Sequence, residues 1–193
     1  MKICIKRTIP IIILLIFTGC PDFPRIGPAS VERGWNYYED GEYEKAIKEF
    51  NDVIEDEPDN GEAYNGLGWC YGKIGELSTA VTHFNTALAK DSTLIDPFAG
   101  LTFVYSDIPL DINAVNNAST LIEKDSLYFF GHNNEIDYKD IRLVKAKSLC
   151  NLGDFVSARN EVQKLNSAFY ADVSTPDGRR ALLDEIERLR GIV

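Results

Sequence analysis

The chain has 193 residues, 45% of them apolar and 26% charged, which is enough for one folded domain with a core and too apolar for a disordered chain. Thirty acidic residues against twenty basic ones give a formal net charge of −10, a balance that phosphate repels, so nucleic acid is not an expected partner. Two histidines and four cysteines form no metal-spaced cluster, and no phosphate loop or nucleophile motif occurs; neither cofactor nor metal is expected, and the chain reads as a non-enzyme.

Residues 1–19 stand apart from the rest. Lys2, Lys6 and Arg7 precede an apolar run, Ile9 to Phe17, that is too short to remain as a membrane-spanning helix. The run ends in Phe17-Thr18-Gly19-Cys20, with small residues directly before a cysteine. This resembles the lipobox of bacterial lipoproteins, with Phe17 where that family usually has an aliphatic residue. The resemblance implies cleavage before Cys20, lipid on Cys20, and a place in the bacterial cell envelope, at the outer rather than the inner membrane. A plain secretory signal followed by a chance cysteine is the other reading. Cleavage would leave 17 basic residues against 30 acidic ones, a net charge of about −13, so the acyl chains would have to provide the membrane grip. Residues 20–28 read as a short, proline-punctuated tether, and 29–193 as the folded body.

From Gly34 the chain repeats every 34 residues. Gly34, Tyr37, Gly41, Ala46 and Phe50 return as Gly68, Tyr71, Gly75, Ala80 and Phe84. Leu101, Tyr105, Ala114 and Leu121 continue the series, with Pro109 in place of the turn glycine. After ten extra residues a fourth copy runs through Leu149, Gly153, Phe155, Ala158, Val162 and Leu165. Within one copy, Tyr64, Leu67, Gly68 and Tyr71 form one helical stripe, and Leu77, Ala80, Val81, Phe84, Ala87 and Leu88 form a second. A hairpin of two such helices cannot bury both stripes alone and needs neighbours of its own kind.

The stretch Gly41-Glu42-Tyr43-Glu44-Lys45-Ala46-Ile47, with Phe50 and Pro58, and the stretch Leu67-Gly68-Trp69-Cys70-Tyr71 resemble the tetratricopeptide repeat. The resemblance implies an all-α, right-handed superhelical solenoid of four helix-turn-helix units, at 27–60, 61–94, 95–128 and 139–172. Thr175-Pro176-Asp177 reads as a helix start, and 176–190 as a capping helix with Leu182, Leu183, Ile186 and Leu189 turned inward. Residues 129–138 are an insertion between units three and four. Its aromatics either fill a gap in the stacking there or contact a partner.

Trp35, Trp69 and Phe103 recur at the same period, two residues before Tyr37, Tyr71 and Tyr105. Two residues are about 200° of helix rotation. If the tyrosines face the second helix of their own unit, the Trp/Trp/Phe series faces the concave wall. There it forms an aromatic ladder beside Tyr38, Asn65 and Lys73, among the acidic Glu32, Glu62 and Asp96. The other reading packs these rings between neighbouring first helices as core. His83 is placed on the outer face of its helix. Cys70 and Cys150, two units apart, are expected as free thiols. The functional expectation is a membrane-anchored adaptor that binds an envelope protein or peptide, basic in character, through Trp35, Tyr38, Asn65, Trp69, Lys73 and Phe103. Glycan binding by the same ladder is the alternative.

Overall fold

A computed structural model describes residues 27–191; the expected signal segment, Cys20 and residues 20–26 of the tether lie outside the described residues. Nine helices run through the described chain: α1 (Val31–Glu39), α2 (Tyr43–Asp56), α3 (Gly61–Lys73), α4 (Leu77–Lys90), α5 (Asp96–Asp107), α6 (Asp111–Lys124), α7 (Tyr138–Asn151), α8 (Phe155–Leu165) and α9 (Pro176–Arg190). None is long and apolar enough to cross a membrane.

The turns inside the units follow from single residues. Gly41, Gly75 and Gly153 sit at φ of 75°, 84° and 82°, the left-handed region that closes a helix without a Cβ clash. The residue after each donates its N–H to the carbonyl five positions back, as Glu42 does to Tyr37 at 2.8 Å and Glu76 to Tyr71 at 2.9 Å. The third turn keeps this bond, Leu110 to Tyr105 at 2.8 Å, with Pro109 in the glycine's place and without a positive φ. Five of the nine starts carry side-chain caps: Ser30, Asn60, Asp137, Asp154 and Thr175 each accept a backbone N–H of the first turn.

Each helix packs on the next, and the odd-numbered helices α1, α3, α5 and α7 also pack on one another in sequence, whereas α2, α4, α6 and α8 do not. The odd row is therefore the short, inner wall of a curved array, and the even row the outer one. Aromatic wedges hold the first two joints. Phe50 lies where side chains at Gly34 and Gly66 would go, and Phe84 where those of Gly68 and Gly100 would go. Both rings are buried. One period later stands Ala118, and Thr102 replaces the glycine. The apolar core divides at this wedge-free joint. One cluster runs from Trp35 to Ile141, and a second from Leu143 to Ile186.

The capping helix closes the second cluster with Leu182 and Ile186, while Leu183 is 42% exposed. The inward expectation for Leu183 is corrected: one residue, about 100°, carries it off the 182–186–189 stripe. His83 is also corrected. It turns inward and stacks on Tyr71 (ring centroids 5.1 Å apart, planes 3° apart), with Tyr64 at 6.2 Å on the same face of α3. Burial lowers its pKa from the ordinary histidine value. Cys70 and Cys150 are free and buried, and burial pushes their thiols up to about 12 and about 11.

Candidate functional site

The inner wall carries Trp35, Trp69 and Phe103, one on each of α1, α3 and α5, with Phe50 and Phe84 edge-on behind the two tryptophans at 5.3 and 5.6 Å. The ladder is not open. Residues 128–138 leave α6 and cross the inner wall back to the first unit. The ring of Phe130 enters between the two tryptophans, stacked on Trp69 at 4.1 Å and edge-on to Trp35 at 5.9 Å. His132 lies flat on Trp35, 3.9 Å away with planes 3° apart, and its Nδ1 is 2.8 Å from Glu39 Oε1. Phe130 is fully buried, and Trp35 and Trp69 are only 3% and 5% exposed. The insertion does not fill a gap between units three and four. Those units pack directly, α5 and α6 on α7.

The acidic residues of this wall hold the covered arrangement. Glu62 accepts the Trp35 indole N–H at 3.0 Å, and Asp96 accepts the Tyr128 hydroxyl at 2.8 Å. Burial raises both carboxyl pKa values above the usual range, and the charge of Asp96 adds to the rise at Glu62. Burial likewise raises the phenols of Tyr38 and Tyr128. Glu32, expected nearby, is exposed.

Of the candidate residues, Trp35, Tyr38, Asn65 and Trp69 are buried, Phe103 is half-buried and Lys73 is exposed. What stays open lies on either side of the crossing loop. A cavity of about 290 Å³ is largely apolar, with Gly68, Trp69, Phe103, Val104 and the loop's Ile136 in its lining. A cavity of about 480 Å³ is polar, with Tyr38, Glu39, Tyr43, His132 and Glu135 in its lining. Lys73 lines both. Tyr38 Oη and Trp69 Nε1 are buried without a hydrogen-bond partner among the described residues. No group of three or more His, Cys, Asp or Glu among the described residues could hold a metal.

Sequence reasoning did not place Phe130, His132, Glu39 and Ile136 in this site. The signal it had was the composition of the insertion, aromatic at both ends and rich in Gly and Asn between them. A sugar platform needs open ring faces, and those of Trp35 and Trp69 are occupied by His132 and Phe130.

Residues 31–94, the first two units, match the family model described as tetratricopeptide repeat. No curated protein matches the chain in sequence. Solved structures match in fold. MamA (AMB-1) superposes with a TM-score of 0.61 at 18% identity, over 82% of this chain and 80% of that one. A tetratricopeptide repeat protein from Parabacteroides merdae gives 0.59 at 15%, over 84% of this chain and 59% of that one. TTC0263, a thermophilic TPR protein of Thermus thermophilus, gives 0.57 at 17%, over 83% and 81%. The chain thus has the fold of a tetratricopeptide-repeat solenoid, an architecture whose curvature presents an extended concave surface to protein partners.

Proposed function

We propose that the protein is a non-enzymatic adaptor, held at the bacterial outer membrane by lipid on Cys20, that binds a partner protein or peptide through its concave face. The observation that supports this reading is the pair of cavities on one wall, apolar on one side of the loop and polar on the other, joined at Lys73. An extended segment can anchor a side chain against Phe103 and Val104 while its polar groups meet Lys73 and Glu39. Two carboxylates against one ammonium in the polar cavity favour a segment of basic character.

The test is crosslinking of the full chain in the native envelope, comparing wild type with Phe103→Ala/Lys73→Glu. These changes keep both tryptophans in place, although Phe103 packs 6.4 Å from Trp69, so a variant with an unchanged fold that loses the crosslinked partner supports the reading. Equal recovery by both refutes it. The anchor is tested by Cys20→Ser, which should move the protein out of the membrane fraction; retention there overturns the lipid assignment.

A further inference from the structure

The loop that crosses the concave wall is built like a bound ligand rather than like a piece of the scaffold. Its backbone hydrogen bonds are internal: Phe130 N–H to the Ile136 carbonyl at 3.0 Å, Ile136 N–H to the Asn133 carbonyl at 3.1 Å, and Asn133 N–H to the Phe130 carbonyl at 3.3 Å. Asn133 Oδ1 accepts from the Glu135 N–H at 2.9 Å, and Phe129 faces Asp137 across a single antiparallel bridge. None of these backbone bonds goes to α1 or α3. Both ends are fixed elsewhere. Tyr128 is tied to Asp96, and Asp137 forms a capping box with Asp140 at the start of α7.

What joins the turn to the first two units is side chains. Phe130 inserts its ring between Trp35 and Trp69, and His132 covers Trp35 and meets Glu39. Phe129, next to Phe130, points away and is 53% exposed. A compact turn thus docks on a distant wall through an aromatic ring and, two residues later, an imidazole.

We propose that the concave wall is a receptor for an aromatic-x-His turn, that residues 129–137 fill it in cis, and that a partner segment of the same chemistry takes their place. The assignment deepens the reading of the concave face as the binding face and rests on it. Trp35 and Trp69 supply the stacking faces, and Glu39 fixes the imidazole. Tyr128 and Asp137 are the points between which the loop leaves. Aromatic stacking with one charge-assisted contact is a mode that a segment in trans can reproduce in full, because no shared backbone hydrogen bond has to be replaced.

The probe is a synthetic peptide with the sequence of Leu127–Tyr138, added to the full chain. In one variant Asn-Gly replaces residues 130–136; the bridge between Phe129 and Asp137 allows a two-residue turn there. The peptide should change tryptophan emission saturably in this variant. It should bind wild type about tenfold or more weakly, because a tethered loop competes at a roughly millimolar effective concentration. A peptide with alanine in place of Phe130 and His132 should do nothing.

No saturable change in the variant, or an equal response from wild type, overturns the proposal. So does a concentration-dependent wild-type dimer, which would make a second copy the donor of the loop. If the shortened chain does not fold, Phe130→Ala/His132→Ala takes its place with the same criteria, since it keeps the loop backbone and both anchors. Peptide binding alongside equal partner crosslinking by wild type and Phe103→Ala/Lys73→Glu leaves the receptor standing and removes the adaptor reading. Loss of partner without peptide binding does the reverse.

Discussion

Truncating Phe130 to alanine tests the covered wall most directly. The ring is fully buried and touches Trp35, Tyr38 and Trp69 at centroid distances of 5.9, 6.2 and 4.1 Å. Phenylalanine-to-alanine changes at buried sites cost about 3–5 kcal/mol, more where the surroundings cannot collapse. Here they cannot collapse easily, because the tryptophans ride on separate helices with Phe50 and Phe84 set behind them. A loss of about 4 kcal/mol is expected, or roughly 8–16 °C in Tm for a body of this size. Phe129→Ala, one residue away and half exposed, should change stability by less than about 0.5 kcal/mol. Urea unfolding followed by fluorescence reads both effects, because Trp35 and Trp69 are the chain's two tryptophans. Native emission of Phe130→Ala should shift to the red as the indoles meet water. A loss below about 1 kcal/mol with unchanged native emission would show that Phe130 does not cover them, and the account of the wall would fail.

Three further outcomes follow from side-chain environments. A methyl at Gly178 would overlap the Asp172 carbonyl oxygen, so Gly178→Ala should cost about 1–3 kcal/mol in the urea midpoint; no change refutes the close approach. Glu161 pairs with Arg142, Lys145 and Lys164 at 2.7, 3.1 and 3.0 Å; burial opposes its ionisation, but the two lysines outweigh burial and hold its carboxyl below the usual value. Its stabilising contribution is therefore present above the ordinary glutamate range and fades as pH falls through the lowered value. Glu161→Gln should lower stability by about 3 kcal/mol at neutral pH and by less in acid, and a thermal melt that does not move at neutral pH refutes the cluster. Burial, with the charge of Asp96, raises Glu62, so the folded chain holds that proton to higher pH than the unfolded chain does. Stability from this group falls as pH rises from about 4 through the raised value. Glu62→Gln keeps an acceptor for the Trp35 indole and should flatten that slope in urea midpoints; a slope as steep as wild type rejects the assignment.

Much of the scaffold was legible because it is written in local spacing. Gly41, Gly75 and Gly153 mark the turns, the alanines at 46, 80, 114 and 158 mark the crossings, and Thr175 marks the start of the cap. Each acts within a turn of helix or between neighbouring units. The rotation of Trp35 and Trp69 toward the inner wall could be worked out from their offset to the tyrosines. What lay on them could not. The path of residues 128–138 is decided by tertiary contacts with side chains from 32 to more than 90 positions earlier, and composition alone carries no direction. His83 and Leu183 were misjudged for a smaller reason: His83 sits at the border of an apolar stripe, where a rotation of a few tens of degrees decides between core and solvent, and Leu183 adjoins Leu182 in sequence but lies about 100° away on the helix.

The contact of His132 with Glu39, 93 residues apart in sequence, has a consequence for the way the array holds together. Repeat arrays behave as one-dimensional chains in which every unit senses only its neighbours and the ends open first. A rung from the connector before the last unit to the first helix turns that line into a ring. The nine-residue α1, an end element on its own, gains the stability of the middle of the array. The first three units give up a free end for a closed body, while α8 and α9 remain outside it with the second core cluster, and folding of that body must wait for a closure that spans half the chain's length.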